Sequence, residues 1–319
     1  MKAAFPGTYS DIRPAMRWNR LSDYFLHHYG ERVQKIPLDA GFSCPNRDGV
    51  ISNSGCVFCN VAGSGTRLGL AGLSLPEQWE RRCIGPKERG FRRFVAYLQS
   101  FSNTYGPIEK LAATFATLRG LPDCIGLAVG TRPDCVDTDK LALIAAFCRE
   151  QAWPEAWMEF GVQSASDATL RRINRGHDRA CAEQAIAMAA KAGLRVCVHL
   201  MAALPGEDEA DFAASVRWLS QQPVQAVKFH CLYVCENTPL AREYECGAYT
   251  PWTQQRYVAA VSAALPLLRS DIVVQRMVGD PAPGELVGPQ WCARSRETLN
   301  LIIKKLKSLD TWQGKKCPE

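Results

Sequence analysis

The stretch GFSCPNRDGVISNSGCVFCN, residues 41–60, decides how the chain is read. It sets Cys44, eleven residues, Cys56, two residues and Cys59 on a segment rich in Gly, Asn, Ser and Asp, directly after a strand-like run, Arg32–Leu38. Two intervening residues let the thiolates of Cys56 and Cys59 face one centre, and the longer arm lets the third approach from another side. Thiolates are soft ligands that select iron–sulfur clusters or zinc. Three of them around a four-iron cube leave one iron open to a substrate or cofactor, as an open position separates catalytic from structural zinc. Structural zinc needs a fourth ligand; no histidine or cysteine stands nearby downstream, while His27 and His28 lie upstream. On spacing alone, cluster, zinc and coincidence all stand.

Outward from this segment, short apolar runs bounded by Gly, Pro or polar residues alternate with helix-like stretches. The runs are Arg32–Leu38, Phe94–Gln99, Cys124–Val129, Trp157–Val162, Leu194–Leu200 and Gln225–Leu232, in the style of buried parallel strands. Residues 107–118 open a helix at Pro107 and close it before Gly120. In 136–150, Leu141, Ile144, Ala145 and Cys148 share one face; in 178–193, Asp178 is the expected N-cap and Gly193 the C-cap. Residues 207–220 carry acids in their first turn, which the helix dipole favours.

Six strand–helix units at roughly 30-residue spacing predict an α/β fold with a parallel sheet, either a partial barrel or a doubly wound sheet, with active groups at the C-terminal ends of the strands. Past about Glu236 the pattern loosens. NTPLAREYECGAYTPW (237–252) reads as loop, an Ala-rich helix starts at Gln254, DIVVQRMVGD (271–280) offers one more strand, and the end is a basic amphipathic helix. The expected division is an N-terminal extension over 1–30, a barrel over 31–235 and a C-terminal extension over 236–319.

With 319 residues, 47% hydrophobic and 22% charged, the chain can bury a large core and is not disordered by composition. The N-terminal stretch lacks an apolar core of signal-peptide length, and no run of about 18 apolar residues occurs. A cytoplasmic protein with no membrane contact is expected, so the 14 cysteines should stay reduced. Most of these stand singly among apolar neighbours, as small buried hydrophobes do.

The residues around the cysteine triplet carry a resemblance. IPLDAGFSCPNRDG (36–49), GCVFCN (55–60) and GSGT (63–66), followed by AYLQSFSNTYGPIEKL (96–111), GLAVGTRPDCV (126–136), MEFGVQSASDATLRRINRGHD (158–178), HLMAALPGE (199–207), VKFHCLYVCENTPLA (227–241) and VQRMVGD (274–280), resemble in order the YhcC-like family of radical S-adenosylmethionine (SAM) proteins. That family is akin to oxygen-independent coproporphyrinogen oxidase and to the catalytic subunit of Elongator. The resemblance spans roughly Trp18 to Asp280. It implies a partial (βα)6 radical SAM barrel with a C-terminal extension, a 4Fe–4S cluster, and reductive cleavage of SAM to a 5′-deoxyadenosyl radical. An electron donor such as flavodoxin or ferredoxin is implied with it.

Roles carry over residue by residue as what the resemblance implies. Cys44, Cys56 and Cys59 match the cluster ligands, and Phe58 the aromatic beside the adenine. Asn103 and Thr104 lie where a turn receives the methionyl amino group. Gln163 matches a ribose-contacting glutamine, Arg175 the arginine for the methionyl carboxylate, and His199 stands where coproporphyrinogen oxidase has a ribose-binding aspartate. The turn AALPGE has Ala203 where the family usually has glycine, and Cys231 and Cys235 match no family feature.

Plainer readings sit beside these. Arg175 can pair with Asp178 at a helix end, Gln163 can satisfy strand-end backbone, Asn103 and Thr104 can serve an ordinary turn, and His199 can be a hydrogen-bonded core histidine. Glu159 points toward the cofactor or pairs with a strand neighbour. Lys228 and His230 alternate on the last strand of the six, so both can face the barrel interior as candidate catalytic groups.

A net charge of +6 permits a polyanionic partner. Two basic clusters, Arg81, Arg82, Lys87, Arg89, Arg92 and Arg93, and Lys304, Lys305, Lys307, Lys315 and Lys316, suggest tRNA, although such runs are usually solvated faces. By the likeness to Elongator, the first expectation is a radical SAM enzyme on tRNA, at a wobble uridine. The alternatives are the same chemistry on a small metabolite or protein, and a non-catalytic zinc-bound scaffold.

Overall fold

The computed structural model describes residues 17–60, 63, 72–282 and 284–317. The extreme N-terminus and most of the GSGT block, Ser64–Thr66, lie outside the described residues.

Seven strands form one parallel sheet in chain order. They are β1 (Val33–Leu38), β2 (Arg93–Leu98), β3 (Cys124–Thr131), β4 (Glu155–Gln163), β5 (Arg195–Ala202) and β6 (Ala226–Cys231), with β8 (Val273–Arg276) as the seventh. A separate antiparallel pair joins β7 (Val234–Cys235) to β9 (Leu286–Gly288). The six expected runs fall within a few residues of β1 to β6, and the run offered at 271–280 is β8.

The crossovers are helical: α2 (Leu75–Glu88), α3 (Ile108–Ala116), α4 (Thr138–Glu150), α5 (Asp167–Arg172) with α6 (Arg179–Lys191), and α7 (Glu209–Ser220). Around them lie α1 (Leu21–Tyr29), α8 (Pro239–Glu245), α9 (Gln254–Ala264) and α10 (Ser295–Ser308). Asp137, Asp178 and Asp208 cap α4, α6 and α7 by accepting from backbone N–H groups, each worth about 1 kcal/mol. The stretch expected as loop at 237–252 contains α8. Thr238 caps it and Pro239 occupies its first turn, where proline's fixed φ and missing N–H cost nothing.

Strand side chains alternate between faces, and this sorts the molecule. One face of the sheet, including Ile36, Phe94, Leu127, Met158, Val198 and Phe229, packs against the helices in the main core. The other curls inward to make a half-barrel. At its base Val33, Val95, Trp157, Cys197 and Val273 pack with Tyr24 and Phe25 of α1. Glu155 is fully buried there. It accepts from the Tyr24 hydroxyl (3.0 Å), the Tyr29 hydroxyl (2.5 Å) and the Trp157 indole (2.6 Å) and faces Arg195 at 3.3 Å. Helix α1 therefore plugs the N-terminal end of the barrel and leaves the C-terminal end for a site.

Ala203, which follows β5, has φ +70, a left-handed conformation that costs a Cβ-bearing residue about 1–2 kcal/mol. The backbone of a glycine turn persists without the glycine. Ala203→Gly should raise stability by about 0.5–1 kcal/mol, the relief of strain being partly offset by unfolded-state entropy. Chemical denaturation of the two proteins measures it.

Candidate active site

The residue 41–60 loop leaves β1 at the C-terminal edge of the sheet and is clamped in place by backbone and amide groups. Arg47 N–H donates to Cys44 O (2.9 Å) and Cys59 N–H to Cys56 O (2.9 Å), so both ends of the triplet sit in tight turns. Val57 N–H donates to Ile173 O, and Leu240 N–H to Val57 O. Asn46 Nδ2 donates to Asn174 O (2.6 Å), and Asn174 Nδ2 returns to Gly55 O (2.7 Å). Asn60 Nδ2 reaches Glu285 Oε2 at 2.8 Å, and the same carboxylate accepts from the Tyr233 hydroxyl at 3.1 Å. The loop is thus fixed by the β4–α6 connection, by α8 and by the segment before β9.

Cys44, Cys56 and Cys59 border one cavity of ≈ 240 Å³ at the barrel mouth. Arg175 Nη1 lies 3.4 Å from Cys56 Sγ and Arg47 Nη1 3.2 Å from Cys59 Sγ. Two guanidinium groups against two sulfurs suit a strongly anionic occupant. Burial pushes the Cys59 thiol up to about 11, reinforced by the neighbouring Cys56 and opposed by Arg47. A cation taking this site must displace its proton.

Tetrahedral zinc at 2.3 Å from each sulfur sets its thiolates about 3.8 Å apart. Among the described residues, Glu159, Cys197 and His199 form a set of three candidate ligands whose atoms all lie within 4.8 Å of one another. His27 and His28 belong to α1 at the plugged end, and neither can complete a zinc site on this loop. Soft donors and two flanking guanidiniums, which suit an anionic occupant, fit an iron–sulfur cluster better than a single cation. The Glu159, Cys197, His199 set is itself no cation site, because two lysine ammoniums already occupy its carboxylate.

The other expected residues divide. Phe58, Glu159, Gln163, Arg175, His199 and His230 all border this cavity. Gln163, after a register shift at the end of β4, has φ +79. A Cβ on Gly161 would fall 2.8 Å from Gln163 Nε2 and 3.0 Å from Arg175 Nη2, so the glycine leaves the room into which both side chains turn. Arg175 donates to Gly161 O (Nε, 3.1 Å). Asp178 instead caps α6, so the helix-end pairing is not formed.

Asn103 and Thr104 do not border the cavity, although Ser102 does. Asn103 Nδ2 donates to Ser100 O and Gly130 O while its buried Oδ1 has no partner, and the Thr104 hydroxyl meets Thr131 Oγ1 at 2.7 Å. Of the two unassigned cysteines, Cys231 and Cys235 both border the cavity.

Below the mouth lies a charged layer. Glu159 accepts from Lys35 Nζ (2.6 Å), His199 Nε2 (3.0 Å) and Lys228 Nζ. Burial alone would raise its carboxyl, but the Lys228 and Lys35 charges and the His199 hydrogen bond hold it well below the usual range. Burial, opposed by Glu159, brings the Lys228 ammonium down to about 8, and its Nζ sits 4.2 Å over the Tyr97 ring. His230 stacks obliquely 5.2 Å from His199. Lys228 itself borders a second cavity instead.

Sequence reading missed Arg47, Arg132 and Lys35. Arg132 is 2% exposed, is paired bidentately with Asp134, and keeps Nη1 without a partner beside the cavity. The signal for Lys35 was there: a lone cation at an inward position of a buried strand.

The radical SAM superfamily model matches residues 48–219 and the radical SAM C-terminal domain model residues 224–308. YtqA of Bacillus subtilis is 33% identical over 302 residues, covering 94% of this chain and 92% of that protein. The chain belongs to the radical SAM superfamily. Within it the YhcC-like proteins are its kin. The solved structure of Elp3 from Methanocaldococcus infernus aligns with the radical SAM chain at TM-score 0.67 and 16% identity, over 88% of this chain and 64% of that one. A tRNA uridine(34) acetyltransferase of Dehalococcoides mccartyi is 29% identical over 150 residues, 45% of this chain and 31% of that protein. The enzyme class displaces the zinc-scaffold alternative. Among the described residues, no helix is long and apolar enough to cross a membrane.

The buried histidines give the radical SAM chain a pH signature. Burial, partly offset by Glu159, lowers His199 to about 4, whereas an unfolded histidine titrates near pH ~6.5. Between these values the unfolded state binds more protons, so stability falls as pH is lowered through that window. The loss should reach about 3 kcal/mol by pH ~4, and His199→Gln, which keeps a donor to Glu159, should flatten the slope. Denaturant melts at several pH values read both.

Proposed function

We propose that this chain binds a 4Fe–4S cluster through Cys44, Cys56 and Cys59 and SAM in the adjoining cavity, and that it uses them to start radical chemistry on a substrate. The observation that carries this is the meeting of three thiols and two guanidiniums at one glycine-floored mouth. When bound, such a cluster supplies the electron that splits the sulfonium of SAM into methionine and a 5′-deoxyadenosyl radical.

The residues of the chain do the rest. Cys44, Cys56 and Cys59 give three ligands and leave a fourth coordination corner to SAM. Arg47 and Arg175 offset the negative charge of the sulfurs. Arg175 and Arg132 stand ready for the methionyl carboxylate, Gln163 for the ribose, and Phe58 for the adenine face. Gly130 and Gly161 keep the floor free of side chains. His199 and His230, held neutral by burial, give the layer below hydrogen-bonding groups without added charge. The plug of α1 excludes water from the base, which a primary carbon radical requires. An external one-electron donor of the flavodoxin or ferredoxin kind is needed.

For the substrate we favour tRNA at a wobble uridine, in the cytoplasm, on the partial likeness to tRNA uridine(34) acetyltransferase. The basic cluster of residues 81–93 gives this no help. It spans the end of α2 and the start of β2, at the N-terminal side of the sheet, and Lys87 and Arg93 are paired with Asp123 and Glu31.

Anaerobic reconstitution with iron and sulfide, followed by dithionite and SAM, should yield about four irons per chain and 5′-deoxyadenosine by chromatography. Cys44→Ala, Cys56→Ala or Cys59→Ala should each bring the nucleoside to background. Product formation undiminished in any of them would sink the ligand assignment. A nucleoside profile of tRNA unchanged by deletion of the gene would remove the RNA substrate and leave the chemistry standing.

A further inference from the structure

The half-barrel leaves a gap between its outer strands, β1 and β8, and a cavity of ≈ 770 Å³ opens there. It is bordered by Arg32, Lys35, Lys228, Arg276 and Arg296 against the single carboxylate of Asp280, apart from Arg20, which is bound to Asp23. Tyr97 and Gln99 border both this cavity and the one at the mouth, so the two adjoin.

The charges at the inner wall do not balance. Lys35 and Lys228 share one carboxylate, Glu159, and are nearly buried, with side chains 10% and 7% exposed. Beside them stands Arg276. A register shift in the β6–β8 pairing sets Arg276, rather than Gln275, opposite Lys228, as bulges commonly re-aim side chains. Among the described residues Arg276 has no carboxylate within ion-pair distance, Asp280 included. Next to it, Gln275 accepts from Lys35 Nζ at 2.7 Å and leaves its own Nε2 buried without an acceptor. Two nearly buried ammoniums, one anion and an unfilled amide donor converge on the inner wall, with the exposed Arg276 at its edge. Such an excess in a partly buried site is costly unless an anion joins it.

We infer that this flank cavity is an oxyanion-binding site, in which Arg276, backed by Lys35 and Lys228, takes a phosphate or carboxylate group of the substrate. Only the word substrate rests on the radical SAM reading; the binding itself does not. The site holds the anionic end of the molecule at the side of the barrel, next to the chamber at the mouth, and selects against neutral compounds.

The test is equilibrium dialysis of the full chain at constant ionic strength, without divalent metal, using labelled inorganic pyrophosphate in one arm and labelled succinate in the other. Saturable binding of one equivalent is expected in at least one arm: pyrophosphate alone identifies a phosphoryl group, succinate alone a carboxylate. Arg276→Gln should weaken it about tenfold or more, the loss of one charge-assisted contact, while Arg276→Lys should keep most of it. Glu159→Gln, which removes the competing carboxylate, should tighten it. Non-saturable uptake in both arms, or equal affinity in wild type and Arg276→Gln, overturns the inference. Dialysis needs neither cluster nor reductant, so chains that bind the anion but release no 5′-deoxyadenosine would condemn the proposed chemistry alone, and the reverse result this site alone.

Discussion

Lys35 ties together parts of the sheet that the backbone leaves apart. From β1 its ammonium reaches Glu159 on β4 and Gln275 on β8, spanning the inside of the curl and the gap between the edge strands. A parallel sheet curled this far leaves β1 and β8 unpaired with each other, although Val274 of β8 donates to Asn19 O, and hydrogen bonding along the strands does not close the gap. The ammonium does so from within, and Lys228 grips the same carboxylate from β6. A buried ion pair of this kind contributes little net stability. What it fixes is curvature, and with it the spacing of every group at the mouth.

On that frame the residue 41–60 loop is held by contacts from distant parts of the chain: Asn174 and Ile173 after β4, Leu240 in α8, and Glu285 near β9. The thiols therefore keep their places through a network of hydrogen bonds, one of them to the Glu285 carboxylate. Arg47 and Arg175 add charge where the sulfurs need it. The loop is tied down at the mouth, whereas at the flank Arg276 has no partner among the described residues.

The barrel strands were legible because a parallel strand covered on both faces is a continuous apolar run, and Gly or Pro marks its ends. The cysteine spacing and the blocks around it were legible for a chemical reason, since few other arrangements put three thiols on one turn-rich loop. Helix α8 was not read, because its short polar sequence resembles a loop, although Thr238 and Pro239 carry the signature of a helix start. Lys35 escaped because its partner Glu159 lies 124 residues away, and one lysine in six strand residues looks like an outward-facing group. Arg47 and Arg132 were passed over as loop charges, which are usually solvated. Asn103 and Thr104 were read at the turn beside the cavity, where the Asn103 amide nitrogen serves the backbone and the Thr104 hydroxyl meets that of Thr131. Sequence specifies which turn approaches the cavity better than it specifies which atom of that turn does.

The plug at the base has a further consequence. Tyr24, Phe25 and the buried Glu155 make the barrel a blind-ended vessel with one door at the mouth and another at the flank. Two reactants that use separate doors need not pass each other. Were two reactants to use separate doors, each could enter with the other already seated.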